Sequence, residues 1–240
     1  MPWGRCEIEG LKVRIPSAAR AAGAGDNHLT VVDQASGWEY DLWAVQDKPP
    51  GGGSLRFAWG GRTRIDGDGL GSGATAAGFG GLAGIIRAPE LAAGRIEHAL
   101  FLVAPCDSGR RVHPASGSGR PCSALGLPAD DAPPMGARLQ LDLSHAELAA
   151  LDVPQWKRAI LTAMAKYGMY LGDTGGETWG VQAESGLTYT SFGVEDQLAA
   201  FARWAGAPAW EDHYVLGLRD GVDWARRLRV VDPCVTAGTC

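Results

Sequence analysis

The 240-residue chain has no apolar run approaching the roughly 20 residues that cross a bilayer, so a membrane-spanning helix is not expected. It has no Cys-x-x-Cys pair, which sets aside zinc knuckles and thioredoxin-type redox sites. No Gly-x-Gly-x-x-Gly opens a helix and no Walker loop is present, so nucleotide cofactors are not indicated. The Gly-x-Ser-x-Gly elbow of a serine hydrolase is missing, its nearest approach being Gly71-Ser72-Gly73 in a glycine-rich stretch. A Glu-bearing His-x-x-x-His zinc motif is missing too. Positive charge is scarce: the formal net charge is −5, and the densest basic run is Arg226-Arg227-Leu228-Arg229. Neither nucleic acid nor an anionic membrane is therefore expected as a partner. No internal repeat is visible. Met1-Pro2-Trp3 leads straight into polar sequence, with no signal peptide in view.

What the chain has in quantity is glycine. Thirty-five glycines and 14 prolines against 20% charged residues favour many turns over long helices, and 45% hydrophobic residues suffice for a full core. The expected fold is dominated by β structure. It is a single jelly-roll-like β-sandwich over residues 1–240 with two or three peripheral helices, a helical insertion over about 144–168 and C-terminal helices over about 194–227. Among five cysteines, Cys106 and Cys122 bracket a turn-rich segment and Cys234 and Cys240 close a short tail loop. Both spacings suit local disulfides of an exported protein, and Cys6 is left over.

One stretch reads as both architecture and chemistry. Asp26 to Asp33 and Trp38 to Trp43 alternate on either side of a Gln-Ala-Ser-Gly turn, the signature of a hairpin. With Asp33 opposite Trp38, Val32 meets Glu39, Thr30 meets Asp41 and His28 meets Trp43. Leu29, Val31, Trp38, Tyr40 and Leu42 then share a core face. His28, Thr30, Glu39, Asp41 and Trp43 share the other, which is either solvated surface or the lining of a groove.

Further strands are expected at Leu11 to Ile15, Leu55 to Trp59, Arg95 to Ala104, Ala137 to Leu143 and Leu228 to Val231. Asp66-Gly67-Asp68-Gly69 offers spaced carboxylates but no EF-hand pattern, and a plain turn is the expectation. Ser144-His145-Ala146-Glu147 is a capping box. From Pro154, the stripe Trp156, Ile160, Met164 and Tyr167 predicts a core-facing helix that stops at Gly168. A second amphipathic helix runs through Leu198, Phe201 and Trp204. Met169-Tyr170-Leu171 is a strand that delivers Asp173 to its end, where it either closes an Asx-turn or serves as a second carboxylate. His98, alone on an apolar face, is either a bonded core residue or a catalytic one. Spacing leaves open a cross-strand metal site from His28 and His98 with Asp26 or Asp173, but no metal or cofactor is expected.

The runs Trp3-Gly4-Arg5-Cys6, Asp26-x-His28-x-x-Val31-x-Asp33, Tyr40-Asp41-Leu42-Trp43, Ala83-Gly84-Ile85-Ile86-Arg87, Glu90-Leu91-x-x-Gly94-x-Ile96-x-His98-Ala99-Leu100, Pro134-x-Gly136-Ala137-Arg138 and Tyr167-Gly168-Met169-x-x-x-Asp173-x-Gly175-Gly176 resemble a family of exported proteins from actinobacteria and other soil bacteria. The resemblance covers nearly the whole chain up to Gly176. It implies secretion, a sandwich-like fold and an upstream segment whose cysteine would partner Cys6. It carries no settled activity, but places His28, His98 and Asp173 inside its motifs.

These features lead to a secreted, extracellular enzyme that degrades polysaccharides, a glycoside hydrolase with Asp41 and Asp173 as its carboxylate pair on a concave sheet face. His28 and His98 complete the catalytic candidates. Trp43, Glu39, Trp59 and Asp26 are the substrate-binding candidates, the indoles by stacking on sugar rings. The alternatives are a non-catalytic carbohydrate-binding module and a polysaccharide lyase with a histidine base. The expected partner is a polysaccharide or oligosaccharide, and the expected state is monomeric.

Overall fold

The computed structural model describes residues 6–23, 25–71, 73–210 and 213–240. The Met1 to Arg5 start, with most of the first motif, and Ser72 of the Gly71-Ser72-Gly73 run lie outside them.

Strands β1 (Leu29–Asp33), β2 (Trp38–Trp43) and β3 (Trp59–Arg64) form an antiparallel sheet in that order. The β1–β2 register is the expected one, from Asp33 opposite Trp38 to Leu29 opposite Leu42. The ladder stops before His28, because Asn27 and Ala44 turn into the left-handed region at φ 38° and 50°. Leu29, Val31, Tyr40 and Leu42 bury one face together with Ile8 and Val45. Val13, Ile15, Leu55 and Phe57 pack against that cluster. They do so as irregular chain, so the strand expected at 11–15 is not formed, and the one expected at 55–59 is met only at Trp59, where β3 begins.

The remaining elements are α1 (Ala88–Ala93), β4 (Leu100–Ala104), β5 (Arg138–Leu141), α2 (His145–Ala150), α3 (Gln155–Lys166), β6 (Met169–Thr174), β7 (Gly180–Val181), α4 (Leu187–Thr190), α5 (Gln197–Trp204), β8 (Ala209–Trp210), β9 (His213–Tyr214), α6 (Trp224–Arg227), β10 (Leu228–Val230) and α7 (Pro233–Ala237). Five of these strands make a second sheet in the order β10-β5-β6-β4-β7. Within it β4 and β6 are parallel neighbours. Parallel partners need a long crossover, and here it carries β5, α2 and α3. The α3 stripe of Trp156, Ile160 and Met164 is buried as its 3.6-residue period requires. Gly168, at φ 78°, ends the helix in the expected left-handed turn. The Ser144 capping box closes, with Ser144 Oγ accepting from the Glu147 amide at 3.2 Å and Glu147 Oε2 accepting from the Ser144 amide at 2.8 Å.

The expected architecture is met in its coarse part, a sheet-rich chain with several helices. Helix and strand each make up about 21% of the chain, so the fold is sheet-rich with several helices and no barrel, but not dominated by β structure. The two sheets also carry separate apolar clusters, and β5 packs against α3. At the element level, α5 buries Phe201 but leaves Trp204 72% exposed, so the expected apolar stripe is incomplete. Both local disulfides form, Cys106–Cys122 and Cys234–Cys240. Cys6 is unbridged, its thiol 3.2 Å from the Gly60 carbonyl oxygen. Among the described residues no helix is long and apolar enough to cross a membrane.

Candidate functional site

Asp173 lies near the carboxyl end of β6, where the register against β4 slips: Leu102 pairs with Leu171, but Val103 pairs with Asp173. Bulges of this kind re-aim side chains. The skipped Gly172 accepts instead from the Ala77 amide at 2.9 Å. Asp173 Oδ1 accepts from the Thr174 amide at 2.7 Å and Oδ2 from the Ala76 amide at 3.3 Å. Burial pushes its pKa up to about 6 against the relief of those two amides, and the charge of Asp26 adds to the rise. The charge of Asp26 thus reaches Asp173, although the two are 147 residues apart in sequence.

Asp26 is exposed at the mouth of the β1–β2 hairpin. Its Oδ1 accepts from Trp43 Nε1 at 3.0 Å, which orients the indole. Its backbone oxygen accepts from the Ala44 amide at 2.9 Å. Asn27 Nδ2 donates to the Val45 carbonyl, and Asn27 Oδ1 accepts from the Gly23 amide at 3.0 Å. These bonds hold Asn27 and Ala44 in a conformation that costs a non-glycine residue about 1–2 kcal/mol. His28 follows directly. Burial lowers its pKa, and the Asp26 charge pulls the other way. Asp26, expected as a substrate-binding residue, thus hydrogen-bonds Trp43 and exerts its charge on His28 and Asp173.

Asp41 and Glu39 do not line this opening. Asp41 is 1% exposed and Glu39 8%, because the Gly80-Gly81-Leu82 segment closes over their face of the sheet. Glu39 Oε1 accepts from the Leu82 amide at 3.0 Å. A Cβ on Gly81 would overlap Asp41 Oδ1 and stand 2.6 Å from Thr30 Oγ1, so only glycine fits there. Thr30 Oγ1 donates to Asp41 Oδ1 at 2.8 Å, whereas no donor reaches Oδ2. A protonated Asp41 carries a donor for the neighbouring Glu39 carboxylate. Burial, then the Glu39 charge, push the Asp41 pKa up to about 8, which keeps that proton in place at neutral pH. The expected groove acids are thus buried together, with Asp41 holding a proton beside Glu39.

His98 is also taken up locally. Its Nε2 is 3.0 Å from Glu90 Oε1, and Glu90 Oε2 accepts the Arg87 amide at the start of α1. That contact makes it a brace for a helix the sequence did not announce. Trp59 stands opposite Trp43 in the β2–β3 ladder, both half-buried. Asp68 closes a plain turn through the Leu70 amide at 3.0 Å, and Asp66 pairs with Arg64.

Asp107 escaped sequence reasoning. It is fully buried, and its two oxygens accept the Gly109 and Gly119 amides at 2.6 and 2.7 Å, fastening the disulfide loop. The Asp107-Ser108-Gly109 Asx-turn pattern was its only signal. Two open clefts, of about 390 and about 420 Å³, involve none of the eight expected site residues. Among the described residues no group of three His, Cys, Asp or Glu side chains is arranged to hold a metal.

No family model, curated protein or solved structure matches the chain. The chemistry on view is a buried carboxyl, Asp173, with a raised pKa to which the Asp26 charge contributes, and an Asp26 that anchors the Trp43 indole next to His28 in the chain.

Proposed function

We propose that the chain is a secreted polysaccharide-degrading enzyme, a glycoside hydrolase whose carboxylate pair is Asp173 and Asp26. The feature that carries this reading is Asp173, buried at the β6 bulge, its pKa raised to about 6 by burial with a lesser push from the charge of the exposed Asp26. Glycosidic cleavage needs one carboxyl that keeps a proton to give to the leaving oxygen and a second that stays ionised. Asp173 fills the first role and Asp26 the second. Trp43, held by Asp26, supplies the apolar face on which a sugar ring stacks. The two disulfides and the motif resemblance support an extracellular setting.

A lyase reading draws on His28, whose burial favours the neutral imidazole that a base must be. One screen of soil and plant polysaccharides separates the possibilities. Hydrolysis releases reducing ends without unsaturation, and elimination adds absorbing unsaturated ends. Asp173→Asn and Asp26→Asn should each cut turnover by ~10²–10⁴ while sugar binding persists, and Trp43→Ala should weaken binding. Full activity in Asp173→Asn rejects the assignment, and binding without any cleavage leaves a carbohydrate-binding module.

A further inference from the structure

The disulfide loop 107–121 abuts both segments that hold Asp173. The Arg120 amide donates to Thr174 Oγ1 at 2.9 Å, and the Ser116 amide donates to the Ala77 carbonyl oxygen at 2.8 Å. It is anchored at its neck by Cys106–Cys122, by the Asp107 amide on the Arg120 carbonyl oxygen at 2.9 Å and by the Cys122 amide on the Asp107 carbonyl oxygen at 2.8 Å. On this rigid frame Arg110, Arg111 and Arg120 are all exposed. The loop's one acid, Asp107, is buried with both oxygens occupied by amides, and no described acid is ion-paired with the three arginines. Three exposed arginines on one loop, in a chain of net charge −5, put positive charge on the loop that bonds the segments holding Asp173.

Remote acids do little to cancel it, because fields decay over about 8 Å at physiological ionic strength. An arginine fork binds a carboxylate through two parallel hydrogen bonds. An anionic sugar brought up to Asp26 and Asp173 would be repelled unless such groups stood beside it. We propose that loop 107–121 reads the carboxylates of an acidic polysaccharide, so that the substrate class is a polyuronate rather than a neutral glycan. This rests on the glycan-site reading above for where the polymer lies.

The test is electrophoresis of the full chain through gels containing polygalacturonate, alginate or a neutral β-glucan, at low and high salt. The wild-type protein should be retarded by a polyuronate and not by the glucan. The triple variant Arg110→Gln, Arg111→Gln, Arg120→Gln should bind at least about tenfold more weakly, and high salt should do the same to the wild type. Its thermal midpoint should match the wild type, since among the described residues the three side chains make no hydrogen bond or ion pair. Free migration through both polyuronates, equal retardation by the glucan, or an unaffected triple variant each overturns the proposal. Depolymerisation of the glucan alone would leave the hydrolase standing and remove the polyuronate. Arginine-dependent retention without depolymerisation would do the reverse.

Discussion

Asp41 shows how one carboxyl changes its chemistry when a face of a sheet is covered. Its pKa is raised from 3.8 to about 8, so the folded chain keeps a proton that the unfolded chain releases over that range. A raised carboxyl contributes destabilisation that grows with pH: stability falls from about pH 4 towards pH 8, by up to about 1.4 kcal/mol per pH unit. Asp173 acts with the same sign between 3.8 and about 6. Asp41→Asn keeps the volume and a donor for Glu39 without a titrating proton. Urea unfolding at pH 6, 7 and 8 should therefore show a falling midpoint for the wild type and a flatter one for the variant. Identical slopes would mean that Asp41 does not hold its proton.

Among the elements, α2 depends most on one outside group. At six residues it is too short to hold itself, and its carboxyl end points bare carbonyls at α3. Arg158 of α3 answers with one guanidinium, donating to the carbonyl oxygens of Leu148 at 2.6 Å, Ala149 at 2.7 Å, Leu151 at 2.9 Å and Val153 at 3.3 Å. Arg158→Leu should lower the unfolding free energy by about 1–3 kcal/mol, read as a shift in denaturant midpoint. Arg158→Lys should recover little of it, because an ammonium cannot span four acceptors. Full rescue by lysine would show that charge at the helix end matters and the fork does not.

For the molecule as a whole, the two disulfides differ in what they close. Cys106 and Cys122 are 16 residues apart, Cys234 and Cys240 only 6. Loop entropy makes the longer link worth about 3 kcal/mol and the shorter one less. The longer one also fixes the loop that backs Thr174 and Ala77. Replacing Cys106 and Cys122 by alanine should lower the melting temperature more than replacing Cys234 and Cys240. It should also reduce glycan binding at temperatures where the chain is still folded. A larger loss from the C-terminal pair would reject this order.

What the sequence determined by itself is whatever rests on contacts close along the chain. Alternation and a short turn set the β1–β2 register, Ser144 and Glu147 closed their capping box three residues apart, and Pro154 and Gly168 marked out α3. Disulfide pairing followed from short spacing. Helix α1 was not legible, because its cap is an arginine backbone amide bonded to Glu90 and not one of the usual capping side chains. Only tertiary structure decided which face of the hairpin stays open. Leu82, 43 residues beyond Glu39, covers the acids that alternation had placed on a groove. The reach of the Asp26 charge to Asp173, 147 residues on, is likewise a matter of chain brought back from far away. Periodicity assigns a side chain to a face, but what comes to lie against that face depends on chain folded back from far away.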